Sequence, residues 1–505
     1  MTPPTLAVPQ AGTAALDAPA PARQVSLDLS LVRGIAWTGG VKWASQLLTW
    51  ASTLVVARIL TPEDYGIVGM ATVFVGLVTM VSEFGLGAAV VVLRGLDPGQ
   101  VRQINALSVL LGVASAALVC AAAVPLSRFT GTPELVGVLL VMSLGFVVAG
   151  FRTVPDAVLQ KELAFRTLAL MEGVGAIVMA LVTVLLALAG AGYWTLVGGT
   201  LFGGLLSAGM AVARRPHGFA RPRLSAVRQA VTFSGQLLVA RLSWYLYSNA
   251  DFMVVGKALG ERALGAYTLA WSLASIPIGK VSATILRVTS AFFAAVQDDR
   301  AALRRYLLTI TEGVALVTFP MTLGLALVAD DLVLLALGEK WRGAILPLRL
   351  LALYASIRSV TPLLPQVLTA VGDVRFTMRN NVTAALLLPL AFVLGTRWGT
   401  TGVAAAWMLA HPLVLAPLFA RVFRRLELSP AAYLRALGPA ASGCALLGAC
   451  VWAAARLAPA AWPLWALFAA QVAAGAAGYA LAVLALHRDR LRAFRGALRE
   501  ARGSA

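Results

Sequence analysis

Val41 to Gly66 reads VKWASQLLTWASTLVVARILTPEDYG, and 199 residues further on Ala240 to Gly265 reads ARLSWYLYSNADFMVVGKALGERALG. The two stretches align without a gap. Leu47, Ala51, Val55, Val56, Leu60 and Gly66 pair with identical residues, Lys42 with Arg241, and Arg58 with Lys257. Apolar composition alone produces some aliphatic identities, but it does not readily match two basic positions in one register. The chain therefore carries an internal repeat. Six apolar spans separate the copies, so the repeat is parallel and predicts two pseudo-symmetric six-helix lobes about an axis along the membrane normal, with a substrate cavity between them.

The composition outside the repeat agrees. Of 505 residues, 59% are hydrophobic and 12% charged, whereas a soluble domain is about a quarter charged. Apolar runs long enough to cross a hydrocarbon core of about 30 Å recur along nearly the whole chain. Hydropathy and turn signals such as Thr61-Pro62-Glu63-Asp64 and Gly260-Glu261-Arg262 place spans at 35–57, 65–92, 104–126, 134–151, 168–190 and 193–213. A second series follows at 230–256, 263–286, 307–329, 343–370, 380–396 and 400–420, and two more at 437–455 and 462–486. The expected fold is an all-α polytopic membrane protein of about fourteen helices, two of them C-terminal additions to the lobes.

The expected organisation is a disordered cytoplasmic tail (1–30), an N-lobe (31–213), a basic linker (214–229), a C-lobe (230–425), spans 13 and 14 (426–487) and a basic tail (488–505). The first 30 residues lack the pattern of a removable signal peptide. Net charge is +19, and most Lys and Arg fall on the side shared with the termini. By the positive-inside rule both termini are cytoplasmic. The basicity then reads as topology signal and contact with anionic lipid heads, with no call for nucleic acid. Cys120, Cys444 and Cys450 lie in apolar runs without ligand spacing and read as small core residues.

No GxxxxGK[ST] loop, HExxH or GxSxG motif is present in the sequence. His217, His411 and His487 are scattered, so no metal site and no cofactor is expected. The longest outer connection, near Asp330 to Gly343, holds Asp330, Asp331 and Glu339, expected as a solvated edge rather than an acid/base pair. Charges within spans remain, each costing about 2.5–3.5 kcal/mol at a helix centre. Lys42, Gln46, Thr49 and Thr53, with Ser45 and Ser52 alongside, form one polar stripe on span 1; Arg241, Tyr245 and Ser248, flanked by Asn249 and Asp251, take matching positions on span 7. These residues, with Arg358, are the candidates for binding substrate. Glu83 and Lys280 sit at nearly equivalent depths and are candidates for a pair at the lobe interface, Glu83 equally for a titrating coupling acid, with Asp251 a further coupling candidate. Pro320, Pro362, Pro365 and Pro412 are candidate bends.

Leu60-Thr-Pro-Glu-Asp-Tyr-Gly66 followed by Ser82-Glu-Phe-Gly-Leu-Gly87 resembles the start of the polysaccharide transporter (Wzx-type oligosaccharide flippase) branch of the multidrug/oligosaccharidyl-lipid/polysaccharide exporter superfamily. Asn249-Ala-Asp251, Gly256-Lys-Ala-Leu-Gly260, Leu264-Gly-Ala-Tyr267, Ile276-Pro277 and Ala370-Val-Gly-Asp-Val-Arg375 resemble its later motifs, over most of residues 30–425. The resemblance implies a non-enzymatic flippase in the inner membrane whose substrate is an oligosaccharide on polyprenyl pyrophosphate. It gives Lys42 and Arg241, with Arg358, the role of receiving the anionic group. Polysaccharide polymerase and chain-length machinery are the implied partners. A peptidoglycan-precursor flippase or small-molecule exporter of the same superfamily, and a membrane glycan polymerase or ligase, stand as alternatives.

Overall fold

A computed structural model describes residues 48–82, 86–92, 96–162, 164–223, 245, 247–459 and 461–488. Lys42, Gln46, Glu83, Arg241, the tail 1–30 and nearly all of the tail after 487 lie outside the described residues, as does the linker beyond 223. The first lobe contains α1 (Leu48–Ile59), α2 (Pro62–Ser82), α3 (Leu86–Val92), α4 (Pro98–Thr130), α5 (Leu135–Lys161), α6 (Phe165–Leu188) and α7 (Trp194–Arg214). The second contains α8 (Ala250–Ala295), α9 (Arg300–Leu327), α10 (Ile345–Val360), α11 (Leu363–Ala370), α12 (Val374–Gly395), α13 (Gly399–Leu409) and α14 (His411–Leu426). Two further helices follow, α15 (Pro430–Leu457) and α16 (Leu464–Leu486).

Local chemistry sets these boundaries. Asp97 and Gln100 form a reciprocal capping box at the start of α4, and Gly131 ends that helix with φ 80°. Asp299 caps α9, and Ser429 caps α15 just before Pro430. Gly260, at φ 83° and ψ 178°, divides α8 into the end of span 7 and the start of span 8. The stretches α10–α11 and α13–α14 each make one pass, the former broken at Pro362 and the latter resuming at His411-Pro412. Pro320 stays inside an unbroken α9. Among the described residues ten helical stretches are long and apolar enough to cross a membrane, α1 is a shorter apolar helix, and there is no strand.

Large side chains such as Leu185, Leu390, Leu413 and Leu457 lie exposed on the outer surface, where lipid replaces water as the solvent. Helix contacts rely on small residues. A Cβ on Gly112 would meet the Phe146 carbonyl at 2.5 Å, and one on Gly150 the Ser108 carbonyl at 2.8 Å, which locks α4 to α5. Helices α15 and α16 pack together through Gly443, Gly475 and Gly478, and Tyr479 donates to the Leu316 carbonyl of α9 at 2.6 Å. Of the three cysteines expected in the core, Cys444 is buried and Cys450 half-buried, but Cys120 is exposed. A thiol is apolar enough to face lipid, so an apolar run does not say which side of a helix is covered.

The lobes meet along α2 and the second half of α8, and residues 199 apart face each other there. Glu63 and Arg262 are 3.4 Å apart. A Cβ on Gly66 would overlap the Glu261 backbone, one on Gly265 would overlap the Pro62 carbonyl, and one on Gly69 would lie 2.9 Å from the Thr268 hydroxyl. The pairs 63/262, 66/265 and 69/268 trace one helical face, so the pseudo-twofold axis runs between them. Farther along the helices the Tyr245 ring wedges in against Gly76, its hydroxyl donating to the Val73 carbonyl at 2.9 Å. A cavity opens below the tight contact.

Candidate functional site

The cavity encloses about 450 Å³ between the lobes, within the range of small-molecule sites. Thr49, Ser52 and Thr53 of α1, Thr72 of α2, Thr183 of α6 and Thr200 of α7 supply hydroxyls from the first lobe. Tyr245, Asn249, Phe252, Thr268, Trp271 and Ser272 come from the second. None of the described lining residues is charged.

The first-lobe hydroxyls are already committed as donors. Thr53 donates to Thr49 O (2.8 Å), Thr72 to Val68 O (2.7 Å), Thr183 to Met179 O (2.6 Å) and Thr200 to Val197 O (2.8 Å), while Ser52 reaches Ala180 O on α6 at 3.3 Å. Each hydroxyl has one proton and two lone pairs, so what these groups offer the cavity is hydrogen-bond acceptance.

Beside the cavity the second lobe is aromatic. Trp271 stands 5.7 Å from Phe252 and 5.5 Å from Trp407 by ring centroids, and Tyr354 stacks on Trp407 at 5.1 Å. Asp251 lies fully buried in this cluster, one carboxylate oxygen accepting from the Tyr267 hydroxyl at 2.7 Å and from the Trp407 indole at 2.9 Å. Both of these partners belong to the second lobe. The Tyr354 hydroxyl also meets His411 Nδ1 at 3.0 Å.

Of the candidates read from sequence, Tyr245 and Asn249 line the cavity, together with the Thr49, Ser52 and Thr53 part of the span 1 stripe. Arg358 stands one ring away, its guanidinium 4.8 Å from the Trp271 centroid and donating to Ser275 Oγ at 3.3 Å. Lys280 is placed only as a backbone position on α8. Sequence reasoning missed Thr72, Thr183, Thr200 and Trp271. The repeat register held one clue, because Thr72 and Trp271 are 199 residues apart and both line the cavity.

At the end of the helices near residues 60 and 260 the cavity is shut by side chains that cross from each lobe to the other's backbone. Arg58 donates to Leu335 O at 2.8 Å, Lys340 to Arg58 O at 2.7 Å, and the buried Trp341 indole to Ala57 O at 2.7 Å. Lys257 donates to Phe129 O and lies over the Phe129 ring. The matched pair Arg58 and Lys257 thus does one job, satisfying carbonyls at helix ends where no further turn can. The connection expected as a solvated acidic edge is part of this clasp. Residues 329–344 fold as a short helix, a π turn and a 3₁₀ turn, which bury Trp341 against Tyr65 (5.2 Å, edge to face). Asp330 is paired with Arg349 and Glu339 with Arg342.

A family model described as "Polysaccharide biosynthesis protein" matches residues 55–346, more than half of the chain. The chain belongs to this family. Lipopolysaccharide biosynthesis protein WzxC of Escherichia coli (strain K12) is 28% identical over 392 residues, which cover 74% of this chain and 78% of WzxC. Teichuronic acid biosynthesis protein TuaB of Bacillus subtilis (strain 168) is 25% identical over 404 residues, 76% of this chain and 80% of TuaB. Among solved structures, lipid II flippase MurJ in an inward closed conformation matches at a TM-score of 0.71 with 13% identity, covering 90% of this chain and all of that one, and so shares its fold. The polysaccharide biosynthesis family is thus the one that the residue motifs resembled, and both named relatives carry polysaccharide-biosynthesis names.

Proposed function

We propose that the protein is a flippase that moves polyprenyl-pyrophosphate-linked oligosaccharide repeat units from the cytoplasmic to the outer leaflet of the inner membrane, by alternating access, for assembly of a surface polysaccharide. The observation that carries this reading is the chamber between two repeat-related lobes, lined by hydroxyl and amide groups and shut at one face by the reciprocal clasp. Burying a sugar hydroxyl unpaired in an apolar medium costs several kcal/mol. A polar chamber replaces that lost water, while the prenyl tail stays in lipid. The cationic positions Lys42 and Arg241 on the matched spans are assigned to the pyrophosphate, Glu83 and Lys280 to the lobe interface, and Glu83 or Asp251 to coupling. In this reading the clasped face is the outer one and both termini are cytoplasmic, because the connections at the opposite face carry Arg214, Arg215, Arg221, Arg223, Arg424 and Arg425. The division into tail, N-lobe (31–213), linker, C-lobe (230–425) and two added spans follows the repeat. A polysaccharide polymerase then consumes the product on the outer side, and the protein itself makes or breaks no bond.

The test is to delete the gene, convert cells to right-side-out spheroplasts, and ask whether an added glycan-cleaving enzyme reaches the lipid-linked pool. Complete repeat units that accumulate and stay protected support the flippase. Units accessible from outside would assign the protein to a later step. Lys42→Ala combined with Arg241→Ala should abolish export at normal protein levels; unchanged export would remove the cationic assignment.

A further inference from the structure

The two walls of the chamber differ in kind. The first lobe presents a row of hydroxyls, and the second sets the rings of Tyr245, Phe252 and Trp271 beside Asn249, Thr268 and Ser272. A lining of hydroxyl and amide groups suits a ligand that carries many O–H groups. An aromatic wall suits a ligand with an apolar face. One chemical class has both: a pyranose carries hydroxyls around its edge and C–H groups on its face.

Resting on the flippase reading, we infer that this chamber is a sugar subsite, in which a pyranose lays its C–H face on Trp271 and turns its hydroxyls to Thr183, Thr200 and the α1 hydroxyls. The pyrophosphate is held elsewhere, and Arg358 is a positioning residue. Its guanidinium, held over the Trp271 indole and tied to Ser275, fixes the ring at the boundary between chamber and aromatic cluster. A planar guanidinium stacks flat on the indole while bonding Ser275, a geometry that an ammonium on a flexible stem holds less firmly, which separates Arg358 from a simple phosphate-binding cation.

The test uses the full chain in nanodiscs and two probes: the oligosaccharide released by mild acid from the lipid-linked pool of the source cells, and polyprenyl pyrophosphate carrying no sugar. Affinities are read by native mass spectrometry and calorimetry, with thermal unfolding as a check on folding. Trp271→Ala and Arg358→Lys should weaken the oligosaccharide about tenfold or more, a loss of about 1.4 kcal/mol, and leave the sugar-free lipid unchanged. Trp271→Phe should retain most of the affinity. Thr200→Val, nearly the same shape without the lone pairs, gives an independent reading and should cost the oligosaccharide about three- to tenfold. Wild-type affinity for the oligosaccharide in Trp271→Ala and Thr200→Val, or equal losses for both probes, would overturn the subsite. So would a wild type that binds only the sugar-free lipid, and that result leaves the flippase standing. A wild type that binds neither probe overturns both.

Discussion

Residues 48–73 and 247–272 are one register of the repeat copied into two lobes, and they agree at one end and diverge at the other. Around the seam the copies are interchangeable in function. Arg58 and Lys257 each reach a carbonyl of the opposite lobe, and Gly66 and Gly265 each admit the other's backbone. Both turns are tight, one held by Asp64 accepting from Thr61 at 2.9 Å and the other by the positive φ of Gly260. Below the seam the same register yields Ser52 opposite Asp251, Thr53 opposite Phe252 and Thr72 opposite Trp271. The shared part is what symmetry needs in order to close the molecule. The divergent part surrounds the cavity, where an asymmetric ligand gains nothing from two identical walls.

The strongest way to break the comparison is at the axis. In Gly265→Val or Gly66→Val the new side chain meets main chain, which cannot turn away, so we expect a loss of more than about 4 kcal/mol and little monodisperse protein in detergent. Gly69→Ala meets only the Thr268 hydroxyl at 2.9 Å and should cost about 1–2 kcal/mol. Thermal unfolding in detergent compares them. Equal melting temperatures for Gly265→Val and Gly69→Ala would show that the lobes are not locked at the repeat glycines.

What the sequence could reveal follows the same division. Spans of about 20 apolar residues, the repeat register and the turns at 61 and 260 were legible because each rests on local composition or on self-comparison. The hydroxyls of α6 and α7 were not, since a Thr in an apolar run looks alike whether it faces lipid, a neighbouring helix or a cavity. Trp271 was hidden for the same reason. Asp251 drew attention as a charge within a span, but only the fold shows Tyr267 and Trp407 converging on one of its oxygens. In the segment 329–344 the acids Asp330 and Glu339 are solvent-facing and paired with arginines, as a solvated edge is, but the acids hid a second role. That role comes from Lys340 and Trp341, which act on carbonyls some 280 residues earlier, beyond what local pattern encodes.

The clasp offers a finer contrast, because its two sides are not equally built. At the end of α1 the donors are Arg58, Lys340 and the buried Trp341; at the end of span 7 the described donor is the exposed Lys257. Trp341→Phe keeps the ring but leaves the Ala57 carbonyl unpaired in a buried site, which costs the closed state about 1–3 kcal/mol. Lys257→Ala removes an exposed contact worth about 1 kcal/mol or less. In a background without the native cysteines, Thr72→Cys reports opening through its rate of labelling by an impermeant thiol reagent added outside. Trp341→Phe should raise that rate about tenfold and Lys257→Ala about threefold or less. A reversed order would place the weight of the clasp on the other lobe.

The smallest effect lies at the opposite face, where each lobe clips the connection between its fourth and fifth helical passes to the end of its sixth. In the first lobe Glu162 takes Arg215 at 2.5 Å, with both side chains about half exposed. In the second Asp373 takes Arg421 at 2.6 Å and Arg425 at 3.1 Å, and its side chain is only 10% exposed. Hydrogen bonding from Arg421, then from Arg425, holds the Asp373 carboxyl below the usual carboxylate range. A carboxyl lowered on folding binds fewer protons in the folded state than in the unfolded one. Its contribution is therefore complete above its unfolded value of about 3.9 and is lost as pH falls through the lowered folded value. We expect Asp373→Asn to cost no more than about 1 kcal/mol at neutral pH, more than Glu162→Gln, because two guanidinium groups lose their partner rather than one. The melting temperature of the wild type should then fall more steeply than that of Asp373→Asn as pH drops below about 4. Parallel curves would mean that the second lobe's clip is held by packing rather than by charge, and the two copies would differ in geometry alone.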